Sequence, residues 1–101
     1  MEGPEDVRGS RLVWLLPEEC TPPHGADFSK YVVLAHMIGG RGWQGPFLVG
    51  YPFKGTIQLL TGSHRWMACK LIGRRMPVRI LPFEQVQAAW GDPESWKRLL
   101  G

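Results

Sequence analysis

The apolar positions near the N-terminal end of the chain form one uninterrupted block. Residues 11–16 read Arg-Leu-Val-Trp-Leu-Leu and are stopped by Pro17, which predicts a buried strand with Trp14 in the core. Three prolines and a glycine over residues 17–26 predict a loop after this strand.

Two further apolar blocks predict a hairpin, and a later block predicts one more strand. Residues 46–51 carry bulky apolar side chains at alternate positions, residues 52–55 have turn composition, and residues 56–60 are again mostly apolar. Residues 76–81 form the last strand. Pro77, near its start, is typical of an edge strand or of a first strand position.

Helical spacing marks two segments in the middle of the chain. Asp27 is placed to cap a helix whose apolar residues recur at spacings of three and four, and the glycines at residues 39–40 are expected to end it. Residues 63–72 are predicted to form a second helix, closed by Gly73.

The C-terminal part predicts two more helices. One covers residues 83–90, and the other starts at residues 92–94, where an aspartate cap, a proline and a glutamate follow one another. Residues 1–10 have no periodic pattern and are expected to be mobile, which leaves residues 11–101 as the domain. The predicted order is β-α-β-β-α-β-α-α, a small mixed α/β domain.

Composition sets broad limits on this domain. The chain has 101 residues, of which 44% are hydrophobic and 21% charged, as in ordinary globular proteins. No apolar stretch approaches the roughly 20 residues that span a bilayer. The start, Met-Glu-Gly-Pro-Glu-Asp, lacks the apolar segment of a secretion signal, so no membrane partner and a cytoplasmic location are expected.

Cysteines and histidines give no signal of a metal site. The chain has two cysteines, Cys20 and Cys69, too few for a disulfide framework, and Cys69 lies among apolar residues as a buried thiol would. Neither cysteine has a second ligand at metal-binding spacing, so no metal centre is predicted.

The turn at residues 61–65, between a strand and a helix, has the chemistry of an anion site. The first N–H groups of a helix have no partner within the helix, and the helix dipole adds positive charge there. Gly62 allows close approach to the backbone, Ser63 offers a hydroxyl, and Arg65 carries a planar fork that suits phosphate oxygens.

A purely structural role for the same turn is the alternative. Thr61 or Ser63 would then cap the helix, and Arg65 would point into solvent. His64 would be an exposed residue of the first turn, whereas in an anion site it would contact phosphate or transfer a proton.

The residues that follow this turn resemble a known signature. Residues 62–73 and 76–80 match the pattern G-x-x-R-x-x-A, then G, then P-V, and Gly-Trp-Gln-Gly-Pro at residues 42–46 precedes the hairpin. In this order of elements, residues 11–82 resemble the ParB/sulfiredoxin-like domain. The resemblance implies a nucleotide-binding fold in which Gly62, Ser63, His64 and Arg65 cradle the phosphates of ATP or CTP, with Mg²⁺.

Departures from the family pattern affect the activity that the resemblance implies. Ser63 stands where sulfiredoxin has its catalytic cysteine, and a hydroxyl does not replace a thiolate in sulfinic-acid repair. The Pro-Arg box of partitioning proteins is replaced by Pro-Pro-His-Gly at residues 22–25. The kinase branch needs a carboxylate base, for which Glu18 and Glu19 are the candidates, with His64 as a further catalytic candidate.

Four tryptophans outside the first strand have two interpretations each. Trp43 and Trp66 could stack on a nucleotide base or pack against the domain. Trp90 and Trp96 are expected to dock the terminal helices. If they leave an apolar face exposed, that face would mark self-association into a homo-oligomer.

Basic residues suggest nucleic acid as another partner. The formal net charge is +3, and one cluster is suited to non-specific contact with DNA phosphates: Lys70, Arg74, Arg75 and Arg79.

Three hypotheses follow: a nucleotide-binding module with or without NTP hydrolysis, an enzyme (NTPase, phosphotransferase or ParB-like nuclease), and a DNA-associated accessory protein of phage or mobile-element type. The first is preferred.

Overall fold

The structure is a computed structural model that describes residues 10–43 and 45–100. Its strands are β1 (Arg11–Leu15), β2 (Cys20–Thr21), β3 (Leu48–Phe53), β4 (Thr56–Leu59) and β5 (Met76–Ile80). Its helices are α1 (Phe28–Arg41), α2 (Ser63–Ile72), α3 (Phe83–Ala89) and α4 (Pro93–Leu100), with a short 3₁₀ helix at Pro17–Glu19. This mixed α+β arrangement confirms the predicted class. The prediction of mobility for residues 1–10 lies, except for Ser10, outside the described residues.

The described strands form one mixed sheet in the order β1-β5-β3-β4-β2. The predicted hairpin β3–β4 is antiparallel, β5 runs parallel to β3, and β1 closes one edge antiparallel to β5. β2 lies within the segment that was expected to be entirely loop, so that prediction was wrong there. The prolines around it signal a loop, whereas β2 exists only through its parallel pairing with β4, which is distant in sequence.

Pro77 does not mark an edge strand. β5 lies between β1 and β3, and Pro77 is its second residue, paired with Trp14 of β1. Pairing with β3 begins only at Val78. The missing N–H of the proline therefore falls before the part of the strand that is paired on both sides.

The first helix starts as predicted but ends later. The side chain of Asp27 accepts a hydrogen bond from the Ser29 N–H at 3.1 Å, as an N-cap does. α1 then continues through the glycines at residues 39–40 and ends at Gly42, whose φ is +82°. Glycine lowers helix stability by only about 1 kcal/mol, so two glycines do not by themselves end a helix that packs well.

The core has two parts, one on each face of the sheet. The part between the sheet and α1 and α2 consists of Cys20, Ala35, Ile38, Leu48, Leu59, Ala68, Cys69, Met76, Val78 and Ile80. The part under α3 and α4 consists of Val49, Leu81, Val86, Ala89 and Leu99. Neighbouring residues of β3 thus point to opposite faces, as strand geometry requires.

Two tryptophans are not where the sequence placed them. Trp14 is 52% exposed, because β1 is an edge strand and only its alternate residues Val13 and Leu15 pack on the core. Trp90 is 71% exposed, so it does not dock its helix, whereas Trp96 packs on the second part of the core. The rings of Trp90 and Trp96 contact each other, with centroids 5.8 Å apart.

No helix among the described residues is both long and apolar enough to cross a membrane.

Candidate functional site

The turn before α2 is formed as predicted, but no side chain caps the helix. Gly62 is the N-cap residue, with φ +90° and ψ 32°, and α2 begins at Ser63 without a side-chain cap. The Thr61 hydroxyl instead accepts a hydrogen bond from the Val49 N–H at 3.3 Å. The alternative in which Thr61 or Ser63 caps α2 is therefore wrong, and the first N–H groups of α2 lack a capping side chain.

Glycine is required at position 62 because of the core beneath it. A Cβ built there would overlap the side chain of Leu48, and the positive φ also disfavours other residues. The sequence assigned Gly62 to close approach by a ligand. In the structure, packing against Leu48 already explains the glycine, and this packing sets where the turn leaves the sheet.

Ser63 faces the protein and is only 2% exposed. Its hydroxyl accepts a hydrogen bond from the N–H of His24 at 3.2 Å, although the two residues are far apart in sequence. This bond ties the loop at residues 22–25 to the start of α2. Sequence reasoning noted that segment only as a departure from the family pattern and did not assign His24 to the site.

Two imidazole rings lie side by side at the start of α2. The centroids of His24 and His64 are 6.4 Å apart, with the rings nearly perpendicular. His24 Nδ1 lies 2.7 Å from the carbonyl oxygen of Gly25, to which it donates in the tautomer that carries a hydrogen on this nitrogen. His64 is partly buried beside this ring.

A carboxylate from α1 approaches the same region. Hydrogen bonds from the hydroxyl and the N–H of Ser29 hold the pKa of Asp27 below its usual value. The charges of Lys30 and of a protonated His64 lower this pKa further. The starts of α1 and α2 are therefore close enough to interact electrostatically.

Arg65 lies against the loop that precedes β3. Its guanidinium carbon is 5.9 Å from the centroid of the Trp43 ring, and a Cβ on Gly45 would come within 3.1 Å of that carbon. Gly45 has a φ of +91°. Arg65 is therefore partly buried and does not simply point into solvent, and Trp43 and Gly45 form a second wall beside the start of α2. Gln44 lies outside the described residues.

The two candidate base-stacking tryptophans are both engaged within the protein. Trp43 Nε1 donates to the Gly45 carbonyl at 3.1 Å, and Trp66 Nε1 donates to the Pro17 carbonyl at 2.9 Å. Lys70 Nζ lies 4.9 Å from the centroid of the Trp66 ring. Both indoles also pack against the first part of the core, and a role in stacking on a base stays a prediction.

The two candidate carboxylate bases have different surroundings. Glu18 is exposed. Glu19 accepts a hydrogen bond from the Leu16 N–H at 2.8 Å and lies 3.8 Å from Arg75 Nη1. Glu19 thus accepts a hydrogen bond from the backbone directly after β1. A catalytic role for either glutamate stays a prediction.

The four candidate DNA contacts do not share one surface. Arg74 Nη2 donates to the Gly39 carbonyl at 3.1 Å, near the end of α2, and Arg75 reaches towards β1. Arg79 lies on the other face of the sheet, because its neighbours Val78 and Ile80 point towards α2. The structure therefore separates Arg79 from Lys70 and Arg74.

Both cysteines are free and buried, which confirms the prediction for Cys69. Burial raises the pKa of each thiol to about 11, helped at Cys20 by the negative charge of Glu19. Within the described part of the chain, no three metal-binding side chains are grouped so that they could hold an ion.

No protein-family model matches the sequence, and no curated protein matches it. Solved structures do match. Sulfiredoxin from Arabidopsis thaliana is 24% identical, with a TM-score of 0.61 over 77% of this chain and 94% of that chain. A free serine kinase variant in complex with AMP is 18% identical, with a TM-score of 0.62 over 80% of this chain and 32% of that chain.

A third match is a C-terminally truncated form of the chromosome-partitioning protein ParB from Caulobacter crescentus, complexed with CTP-gamma-S. It is 22% identical, with a TM-score of 0.57 over 73% of this chain and 44% of that chain. The chain thus spans nearly all of the sulfiredoxin but less than half of the kinase and the ParB chains. These likenesses, together with the strand order and the turn before α2, show that the protein has the ParB/sulfiredoxin-like fold.

Proposed function

We propose that this protein binds a nucleoside phosphate, with its phosphates at the start of α2. The observation that carries the proposal is a helix start that has neither a side-chain cap nor an acidic residue in its first turn, flanked by His24, His64 and Arg65. The helix dipole and the N–H groups of this first turn, which no side chain caps, favour an anion there, and the His64 imidazole and the Arg65 guanidinium add donors.

Structures with the same fold support a nucleotide as that anion. Solved structures of free serine kinase variants hold AMP or ADP, and the ParB structure holds CTP-gamma-S. In this chain the phosphates would contact the first-turn N–H groups of α2 and Arg65, with Gly62 shaping the turn. ATP or CTP, with Mg²⁺, is the expected ligand.

Catalysis requires more than this binding site. Transfer or hydrolysis of a phosphoryl group needs a positioned base, and Glu18 and Glu19 are the candidates from sequence. Ser63 is buried and accepts a hydrogen bond from His24, and it has no thiol, so sulfiredoxin-type repair is not proposed.

Thermal unfolding with a panel of AMP, ADP, ATP and CTP, each with and without Mg²⁺, tests the proposal. A nucleotide at 100 times its dissociation constant stabilises the folded protein by about 2.7 kcal/mol, which raises Tm by several degrees in a domain of this size. We expect Arg65→Ala to remove this rise.

Arg98→Ala is the matched control, because Arg98 is an exposed arginine of α4, which packs on the other part of the core from α2, and it donates a hydrogen bond to Ser95. It should keep the full rise. The proposal fails if no nucleotide raises Tm at millimolar concentration, or if Arg65→Ala responds like the native chain.

The DNA-binding alternative has less support in the structure. Non-specific binding to duplex DNA requires several cations on one surface, and Arg79 is separated by the sheet from Lys70 and Arg74. Binding to duplex DNA that weakens steeply with salt, and that is lost in Lys70→Ala/Arg74→Ala, would favour this alternative instead.

A further inference from the structure

β1 has the sequence of an internal strand but lies at the edge of the sheet. Its block of apolar residues is typical of strands that are covered on both faces and paired on both sides. In the structure, Leu12 is 37% exposed and Trp14 is 52% exposed. This mismatch between sequence and position suggests that something else completes the strand.

The outer side of β1 is open in the described part of the chain. Its inner side pairs with β5, and no described strand pairs with its outer side. Val13 and Leu15 pack against the first part of the core. Leu12 and Trp14 therefore share the opposite face, next to an edge that can accept another strand.

We propose that two copies of this chain associate by antiparallel pairing of β1 with β1 about a two-fold axis at Val13. In this register Val13 lies opposite Val13 of the second copy. Leu12 then lies opposite Trp14 of the second copy, and Trp14 lies opposite its Leu12. The two sheets join into one, and both exposed apolar side chains gain a cross-strand partner.

The second copy is the occupant that this strand fits best, because β1 is complementary to itself. The two-fold axis uses the same short segment on both sides, as a closed dimer requires. It also places Arg11 opposite Leu15 of the second copy, so that the two Arg11 side chains lie at opposite ends of the pairing. In the single chain, Arg75 Nη1 lies 3.5 Å from the carbonyl oxygen of Trp14. This hydrogen bond is long, and a backbone N–H of the second copy can replace it.

A second apolar surface offers no comparable match. A cavity of about 410 Å³ lies between the end of α3 and the start of α4, and one of about 270 Å³ lies between β3 and α3. Both are lined by Trp90. Nothing in the geometry of these helices indicates which chain would cover Trp90. Association through this surface is therefore an outcome of the test and not the proposal.

Sedimentation velocity of the full chain over a wide range of concentrations tests the proposal. The native chain should approach twice its mass of 11.4 kDa as concentration rises. Trp14→Glu should weaken the dimer roughly 100-fold, since the substitution acts twice across the axis. Trp14 is exposed in the single chain, so the variant should keep its circular dichroism spectrum and its Tm at low concentration.

Trp90→Glu is the matched control, because it places the same charge on the other exposed tryptophan. It should leave the dimer intact. A chain that stays monomeric at all concentrations overturns the proposal. So does a dimer that is lost in Trp90→Glu and kept in Trp14→Glu, because that result assigns association to the α3–α4 surface.

A cysteine placed on the axis tests the register. Residues that face each other in antiparallel strands have Cα atoms about 4.5–5.5 Å apart, within the range of a disulfide. Val13→Cys treated with diamide should therefore give a covalent dimer, whereas Arg11→Cys should not, because its two copies are about 13 Å apart along the strands. Cys20 and Cys69 are buried and do not compete. Equal cross-linking of both variants, or of neither, overturns the register.

Discussion

The start of α2 differs from the starts of α1 and α4. Asp27 caps α1, and Asp92 does the same at α4, where its carboxylate accepts hydrogen bonds from the Glu94 N–H and the Ser95 hydroxyl. Gly62 precedes α2 and provides no side chain for capping. Two helices therefore carry their own anion at the positive end of the dipole, whereas α2 does not.

The difference is more than the lack of a cap. α3 also starts without a side-chain cap, but its first turn contains Glu84. The first turn of α2 has no acidic residue and carries His64 and Arg65 instead. Three of the four described helices thus supply a carboxylate at the N-terminus, and the exception lies at the turn that resembles a phosphate cradle. This contrast suggests that α2 is completed by a ligand.

Substitution of the glycine at the turn should have the largest effect on stability. Gly62→Ala adds strain at positive φ and forces its Cβ against Leu48, so we expect a loss of about 2–5 kcal/mol in the free energy of unfolding. Chemical denaturation measures this loss. Nucleotide binding should also weaken, because the turn has to shift.

Gly73→Ala, at the other end of the same helix, is the control for strain alone. Gly73 also has a positive φ, +68°, but a Cβ there meets nothing within 4 Å. Gly73→Ala should therefore lower the free energy of unfolding by about 1–2 kcal/mol. Equal losses in the two variants would mean that the packing on Leu48 contributes nothing.

The hydroxyl of Ser63 should have the next largest effect. Ser63→Ala leaves the N–H of His24 without its acceptor in a partly buried place, and we expect a loss of about 1 kcal/mol in the free energy of unfolding. The loop at residues 22–25 should then exchange its amide hydrogens faster. Ser29→Ala is the control, because Asp27 still accepts the backbone N–H of residue 29. Unchanged exchange in Ser63→Ala would contradict the role assigned to this bond.

Much of the architecture could be predicted because it depends on local patterns. α2 was predicted with the bounds that it has, since a turn with glycine and a closing Gly73 mark both ends. Trp14 was placed in the core wrongly, because an apolar run does not reveal whether a strand lies inside a sheet or at its edge. β2 was missed for a similar reason, since its pairing with β4 is non-local.

In the candidate site, too, only the features that depend on local sequence could be predicted. Its N–H groups and Arg65 follow from the segment at residues 61–65 alone. His24 lies beside His64 only because the loop at residues 22–25 folds back onto α2 and bonds to Ser63. A side chain brought in from another part of the chain leaves no trace in the local spacing, so sequence patterns could not place it.

A carboxylate placed in the first turn of α2 should make it resemble the other helices. His64→Glu should stabilise the free protein by about 0.3–1 kcal/mol through the helix dipole and at the same time remove the nucleotide-dependent rise in Tm. His36→Glu is the control, because His36 is an exposed residue of α1 beyond its first turn and receives the same change of charge. If His64→Glu still responds to nucleotide, the phosphates are not bound at this helix start.

Acid should weaken the two helix starts that carry an aspartate cap. Hydrogen bonds from Ser29 and Ser95 hold the pKa of Asp27 and of Asp92 below the usual value of 3.8. The unfolded chain therefore takes up protons at these carboxyls before the folded chain does. Their contribution to stability is fully present above the ordinary carboxyl pKa and is lost as the pH falls through the lowered values.

We expect this dependence of stability on pH to be the smallest of the effects, because both carboxylates are fully exposed and solvent screens them. The double variant Asp27→Asn/Asp92→Asn should show a flatter loss of Tm between neutral pH and about pH 3 than the native chain, since it lacks these two carboxyls. If Tm falls equally with pH in the native chain and in the double variant, the two aspartate caps do not stabilise α1 and α4 in the way that their hydrogen bonds indicate, and the contrast with α2 is lost.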